Sequence, residues 1–252
     1  MNRISLCCFA SLLAAPVLAS DPLSLAGATG ALMVPSGLVV ASGAAEFQAN
    51  TSQLRSATRE FVEARTYALA IGLLPRVELT GQLAEADRET GGGYNDISAN
   101  IKVSLFQNQH IALAAGAIDF AGDAQRSAAK YGVATFTYRE FALSGGYGQG
   151  KALDGPFGSL VVKPMRHVEL LADYDSEHYS VGTRLSYQFQ SSTTLTGTAK
   201  LYSNGPQKNA FGLGISRNQD FRKDRDRKLS GRTETGSIFD PLGSGLANVS
   251  QT

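Results

Sequence analysis

His178-Tyr179-Ser180 sets an imidazole and a hydroxyl two residues apart, on one face of an extended strand. That is the start of a nucleophilic site, in which a base takes the hydroxyl proton and a third group orients the base. No orienting partner is identifiable in the sequence, and the pair falls at a loop edge. A larger polar set recurs at alternate positions of extended segments: Glu78, Gln82, Asn100, Lys102, His167, Glu169, Asp173, Arg184, Gln188 and Lys200. Mixed charges and amides in such a row line an enclosed interior. They pair across it and close it, or they exchange hydrogen bonds with the hydroxyls of a neutral or weakly charged sugar. Other chemistries lack their residues. His110, His167 and His178 are dispersed, and there is no His-Glu-x-x-His motif. Gly91-Gly92-Gly93 lacks the Lys-Ser/Thr ending of a phosphate loop and is a loop tip. No metal, cofactor or enzyme activity is expected.

The polar set depends on strands. Ile97-Ser98-Ala99-Asn100-Ile101-Lys102-Val103-Ser104-Leu105 is apolar at every odd position and polar at every even one. Val77 to Leu83, Tyr179 to Phe189 and Thr194 to Leu201 alternate in the same way. Val168 to Tyr174 alternates with Leu171 out of place. Period two places successive side chains on opposite faces of a sheet.

The first 19 residues read as a secretory signal peptide. Arg3 precedes an apolar run from Ile4 to Ala15, which closes on Pro16-Val17-Leu18-Ala19 with cleavage expected after Ala19. Both cysteines, Cys7 and Cys8, fall inside it, so the mature chain has no disulfide and no thiolate chemistry. A lipoprotein reading has too little apolar segment ahead of either cysteine. The 252 residues are 43% hydrophobic and 18% charged, with a net charge of +1. That composition excludes a charged disordered chain and gives no electrostatic case for nucleic acid. The mean hydropathy of -0.09 averages two opposite faces.

Twelve strands are expected near 43–52, 65–73, 76–85, 96–106, 109–118, 129–138, 140–148, 156–163, 166–174, 178–189, 192–202 and 209–217. Their connections alternate between long and short, which is the layout of a bacterial outer-membrane barrel with short periplasmic turns. The expected fold is all-β: an antiparallel up-and-down transmembrane β-barrel of about 12 strands over 43–221, in the outer membrane of a Gram-negative bacterium. A soluble β-sandwich or barrel is the alternative, because soluble antiparallel sheets also alternate. Two phases stay open. In 129–138, Tyr131, Val133 and Thr135 compete with Ala134, Phe136 and Tyr138 for the outward face. In 109–118 no polar face follows His110, which calls for something small packed inside.

Both ends of the mature chain differ from the strands. Residues 20–42 are apolar and glycine-rich, and Pro35 and Gly37 argue against a central strand. They form a periplasmic linker or a segment tucked against or into the barrel. Residues 222–252 open on Arg222-Lys223-Asp224-Arg225-Asp226-Arg227-Lys228 and continue as a Gly/Ser/Thr-rich run without apolar period. They read as a disordered polar tail, solvated or touching anionic lipid or a periplasmic partner.

Four segments resemble YjbH-like proteins. They are Gly27-Ala28-Thr29-Gly30-Ala31-Leu32 with Pro35-Ser36; Tyr67 to Glu78 around Leu74-Pro75; Ala117-Ile118-Asp119-Phe120-Ala121-Gly122; and Ala172-Asp173-Tyr174-Asp175 followed by Tyr179. The resemblance spans roughly Leu25 to Arg217, and the best-known members are much longer. It implies an outer-membrane barrel that takes part in exopolysaccharide secretion as channel or accessory. Its expected partners are outer-membrane lipid, a polysaccharide and other secretion proteins. A general small-solute channel is the alternative. Outer-membrane phospholipases, of about this strand number, resemble His178 and Ser180 in using His and Ser, but here the phase turns both toward the lumen.

Overall fold

The computed structural model describes residues 21–55, 61–86, 95–121, 128–190, 192–206 and 209–218. The expected signal peptide, the expected loop tip at Gly91 to Gly93 and the expected polar tail lie outside them. Twelve strands follow one another among the described residues: β1 (Ala44–Arg55), β2 (Phe61–Leu74), β3 (Val77–Ala86), β4 (Asn95–Gln107), β5 (Ile111–Ile118), β6 (Ala129–Tyr138), β7 (Phe141–Gly150), β8 (Gly155–Met165), β9 (Val168–Tyr174), β10 (Tyr179–Gln190), β11 (Thr193–Ser203) and β12 (Ala210–Asn218). Each pairs antiparallel with its neighbour in sequence. β12 returns to β1, with register running from Ala44↔Asn218 to Asn50↔Gly212, and closes the barrel. Closure leaves no strand edge, which a sheet in hydrocarbon cannot afford.

Connection length separates the two ends. At one end the links are 75–76, 108–110, 139–140, 166–167 and 191–192; at the other they are 56–60, 87–94, 119–128, 151–154, 175–178 and 204–209. Arg76 and Arg139 take positive φ, 72° and 52°, inside the tight links. β5 starts at Ile111, two residues later than the sequence indicates. Asn108 Oδ1 accepts from the amides of His110 (2.9 Å) and Ile111 (2.7 Å), which holds these residues in the turn.

The outward face is a band of exposed apolar side chains, including Leu69, Ile97, Leu113, Leu143, Leu160, Leu185, Leu195 and Leu213. Aromatic residues flank it. Phe106, Phe136, Tyr138, Phe141, Tyr187 and Phe189 gather toward the short-turn end, and Tyr147, Tyr179, Tyr202 and Phe211 toward the long-loop end. An apolar band between two aromatic girdles is the surface of a transmembrane barrel, not of a soluble one.

Both open phases resolve through what fills the interior. In β6, Tyr131, Val133 and Thr135 are buried, and Ala134, Phe136 and Tyr138 face out. In β5, Ala112 and Ala114 face in without a polar partner face because residues 21–43 pack there. A Cβ on Gly37 would lie 2.5 Å from the carbonyl oxygen of Ala112, so the segment meets this wall backbone to backbone. Three clusters hold it. Leu25, Ala31 and Leu32 pack on Ala142, Val161, Leu171 and Ala210. Val34 packs on Ala114, Tyr131, Val133, Leu153 and Phe157. Leu23 and Val40 pack on Ala44, Ala68 and Ala70.

Candidate functional site

Residues 21–43 form a folded loop inside the barrel, braced by isolated bridges Leu23↔Thr29 and Gly30↔Pro35. Its course follows from its partners. The Leu23 amide donates to Glu46 Oε1 (3.0 Å), near the short-turn end of β1. The Met33 amide donates to Asp173 Oδ2 (2.5 Å), near the long-loop end of β9. The Gly43 amide donates to the Gly72 carbonyl (2.8 Å), back at the short-turn end. The loop therefore enters and leaves by one mouth, with its apex around Leu32 and Met33.

Two charged stations grip it. At the first, Glu78 and Lys102 face one another across β3 and β4, with Nζ 3.5 Å from Oε2. The Glu78 carboxylate accepts from the Thr29 amide (3.2 Å), the Thr29 hydroxyl (2.6 Å) and the Val40 amide (3.0 Å). Lys102 Nζ donates to the Thr29 carbonyl (2.9 Å) and also contacts the Thr29 hydroxyl. At the second, Arg184 is 1% exposed. Its Nη2 donates to the carbonyls of Gly30 (3.0 Å) and Ala31 (2.5 Å), while Nη1 donates to Glu169 Oε2 (3.0 Å). Glu169 is shared with Lys163 at the rim, 2.9 Å away. Buried charges persist only when paired and bonded, and here the segment's backbone supplies much of that bonding.

The polar set picked out by alternation divides by depth. Glu78, Asn100, Lys102, Glu169, Asp173, Arg184 and Lys200 are buried inside. Asn100 Oδ1 accepts from the Asp119 amide (2.9 Å) and pins the β5 exit. Gln82 is half-buried beside Gly27 of the inner loop. His167 and Gln188 lie at the barrel's edge rather than in its buried interior. Both are exposed at the short-turn rim, where the strand pattern runs on past the filled interior. The His167 ring nitrogen contacts the Ser186 carbonyl there (3.0 Å).

Several residues of the site were not singled out by alternation. Glu46, Thr135 and Asn50 all bond the inner loop: the Gly37 amide donates to Thr135 Oγ1 (2.8 Å), and Asn50 Nδ2 donates to the Leu25 carbonyl (3.2 Å). Leu171, out of place as a polar-face residue, is an inward contact for the loop. The signal was present as the apolar breaks in the inward face. The Ser180 hydroxyl donates to Ser203 Oγ (3.2 Å), and the His178 ring lies 3.7 Å from Asp175 Oδ1. The two residues are thus engaged with other partners.

No protein-family model matches the chain, and no curated protein sequence does. Among solved structures, the chain is similar to the KdgM porin in complex with disordered oligogalacturonate, with a TM-score of 0.47 and 9% identity over 70% of this chain and 99% of that one. The KdgM porin alone gives 0.46 at 9% identity over the same shares. A mutant Rh. blastica porin gives 0.31 at 14% identity, over 61% of this chain and 55% of that one. These likenesses are distant, and the fold stands on the closed strand order itself.

Proposed function

We propose that this protein is an outer-membrane channel for small polar solutes, closed at rest by its own residues 21–43. The observation that carries the reading is how the loop is held. A permanently filled barrel needs only an apolar core, whereas this lumen grips its occupant through Glu78, Lys102, Asp173 and Arg184. Those groups are satisfied by the loop's backbone when it is seated and by water when it is withdrawn. The charged part of the lining therefore suits both states, the apolar contacts favour the seated one and keep the channel closed at rest, and both ends of the loop leave by the same mouth. The short turns at that mouth face the periplasm in the usual barrel orientation. Planar-bilayer recording tests this. The wild-type chain gives long closed periods with rare openings. Steady full-bore current, or none under any voltage or after weakening of the loop's anchors, sinks the proposal.

A second reading, exopolysaccharide secretion with a polysaccharide and other secretion proteins as partners, is favoured by the resemblance of four ordered segments to YjbH-like proteins. One of them, Gly27 to Ser36, is the gripped part of the loop. Deletion of the gene followed by measurement of secreted polymer under inducing conditions checks it, and unchanged secretion removes it.

A further inference from the structure

Six inward residues on six consecutive strands face one another directly: Thr135↔Ser144, Ser144↔Ser159, Ser159↔Asp173, Asp173↔Ser180 and Ser180↔Ser203. Each is at least nine-tenths buried. Strand tilt makes this row climb. Thr135 lies near the short-turn end of β6, whereas Ser180 and Ser203 lie at the long-loop ends of β10 and β11. The row is a ladder of hydroxyls with one carboxylate, running from one mouth to the other.

Part of the ladder is satisfied internally, through Thr135 to Ser144 (2.8 Å) and Ser180 to Ser203 (3.2 Å). The inner loop takes two more acceptors, with the Gly37 amide on Thr135 and the Met33 amide on Asp173. In the middle, Ser159 Oγ is buried with no hydrogen-bond partner. Buried polar atoms are nearly always hydrogen-bonded, so an unmet one marks a place that bonds something else. Apolar rows run along both sides of the ladder, Val133-Gly146-Phe157 on one and Ala142-Val161-Leu171 on the other.

We infer that this ladder is a binding track for a neutral saccharide chain, and that the loop from Met33 to Gly37 occupies the track in the saccharide's place. The inference rests on the channel reading and names its solute class. Hydroxyls both donate and accept, as sugar hydroxyls do, and the row's one carboxylate, Asp173, is offset by the buried Lys200 ammonium that interacts with it, so the track carries no net charge to select an ion. The flanking rows match the C–H faces of sugar rings. Saccharide and loop compete for Thr135 and Asp173, so binding of the saccharide shifts the loop toward its withdrawn state.

The test uses the full chain carrying Arg184→Met to weaken loop seating, in planar bilayers, with maltohexaose as probe. Transient current blocks are expected. Thr135→Val with Ser159→Ala in that background shortens their mean duration by about tenfold or more, from roughly 1 kcal/mol per lost bond. Current without sugar blocks, or blocks of unchanged duration, overturns the track and leaves the channel standing. No current in either background overturns the channel. Saturation-transfer NMR with maltohexaose on the detergent-solubilised protein needs no current and reads the track separately. Transfer that disappears in the double variant supports the track, and no transfer in its parent overturns it. Heat-modifiable migration confirms that each variant is folded; if Arg184→Met fails to fold, voltage-driven openings of the wild-type chain carry the same comparison.

Discussion

Arg184→Met removes the charge that seats the inner loop while keeping a side chain of similar bulk. The guanidinium donates to the carbonyls of Gly30 at 3.0 Å and Ala31 at 2.5 Å from a position 1% exposed. Hydrogen bonds to charged groups contribute about 1.5–3 kcal/mol each, so the two together hold the loop by about 3–6 kcal/mol. Glu169 is not abandoned, because Lys163 remains 2.9 Å away. At 1.4 kcal/mol per tenfold, the loop's release equilibrium rises by about 10² to 10⁴. Single-channel recording at matched protein density reads this as a rise in open fraction of at least about a hundredfold. Lys163→Met is the control. Its ammonium is exposed at the rim, where such pairs contribute about 1 kcal/mol or less, so the open fraction changes by less than about fivefold. An Arg184→Met protein that folds, migrates heat-modifiably and stays as closed as the wild type refutes the claim that this guanidinium seats the loop.

Three further outcomes follow from the same contacts. Glu78→Gln leaves Lys102 buried without its carboxylate and loosens the loop by about 3–5 kcal/mol, whereas the Glu78→Gln/Lys102→Met double variant recovers part of the loss; hydrogen exchange at the Thr29 and Val40 amides reads both. Gly37→Ala drives a Cβ to 2.5 Å from the Ala112 carbonyl oxygen, a backbone atom that cannot swing away, and costs about 1–3 kcal/mol; protease cleavage within 21–43 rises while the barrel still shows its heat-modifiable shift. Leu185→Arg puts a charge on the outward apolar band and lowers folding stability by about 2–4 kcal/mol if the site lies at the bilayer midplane, measured by denaturant titration in lipid vesicles; an unchanged midpoint removes Leu185 from the band.

The strands were legible because each carries its own two-residue period. Ile97 to Leu105 needs no outside information to be read as a strand with one lipid face. Bounds shifted where local hydrogen bonds override the pattern, as Asn108 does ahead of Ile111. Phase stayed open where the inward face was not polar. In β5 the inward positions Ala112, Ala114 and Gly116 are as apolar as the outward ones, since Gly37 and Val34 press against that wall. His167 and Gln188 show the converse: the period continues to the rim, where the residues are exposed. Alternation reports which way a side chain points but not how deep it lies.

The same limit explains why the lumen's content is hard to read from the strands alone. Glu78, Lys102 and Arg184 would be equally acceptable facing water or facing a loop's peptide groups, so their polarity does not distinguish an open barrel from a filled one. The apolar breaks in the inward face do distinguish them. Val133, Phe157, Val161 and Leu171 point inward, and in an open lumen they would face water at a cost of about 1.5–3 kcal/mol for each large side chain. They are buried instead against Leu25, Leu32 and Val34, three apolar residues in a segment too rich in glycine and proline to be a strand of its own. An inward apolar residue on a barrel strand thus requires a partner outside the strands. Leu171, the single break in an otherwise regular strand, and Leu32, at the apex of the loop, are the two halves of one contact cluster that ties the lumen wall to its occupant.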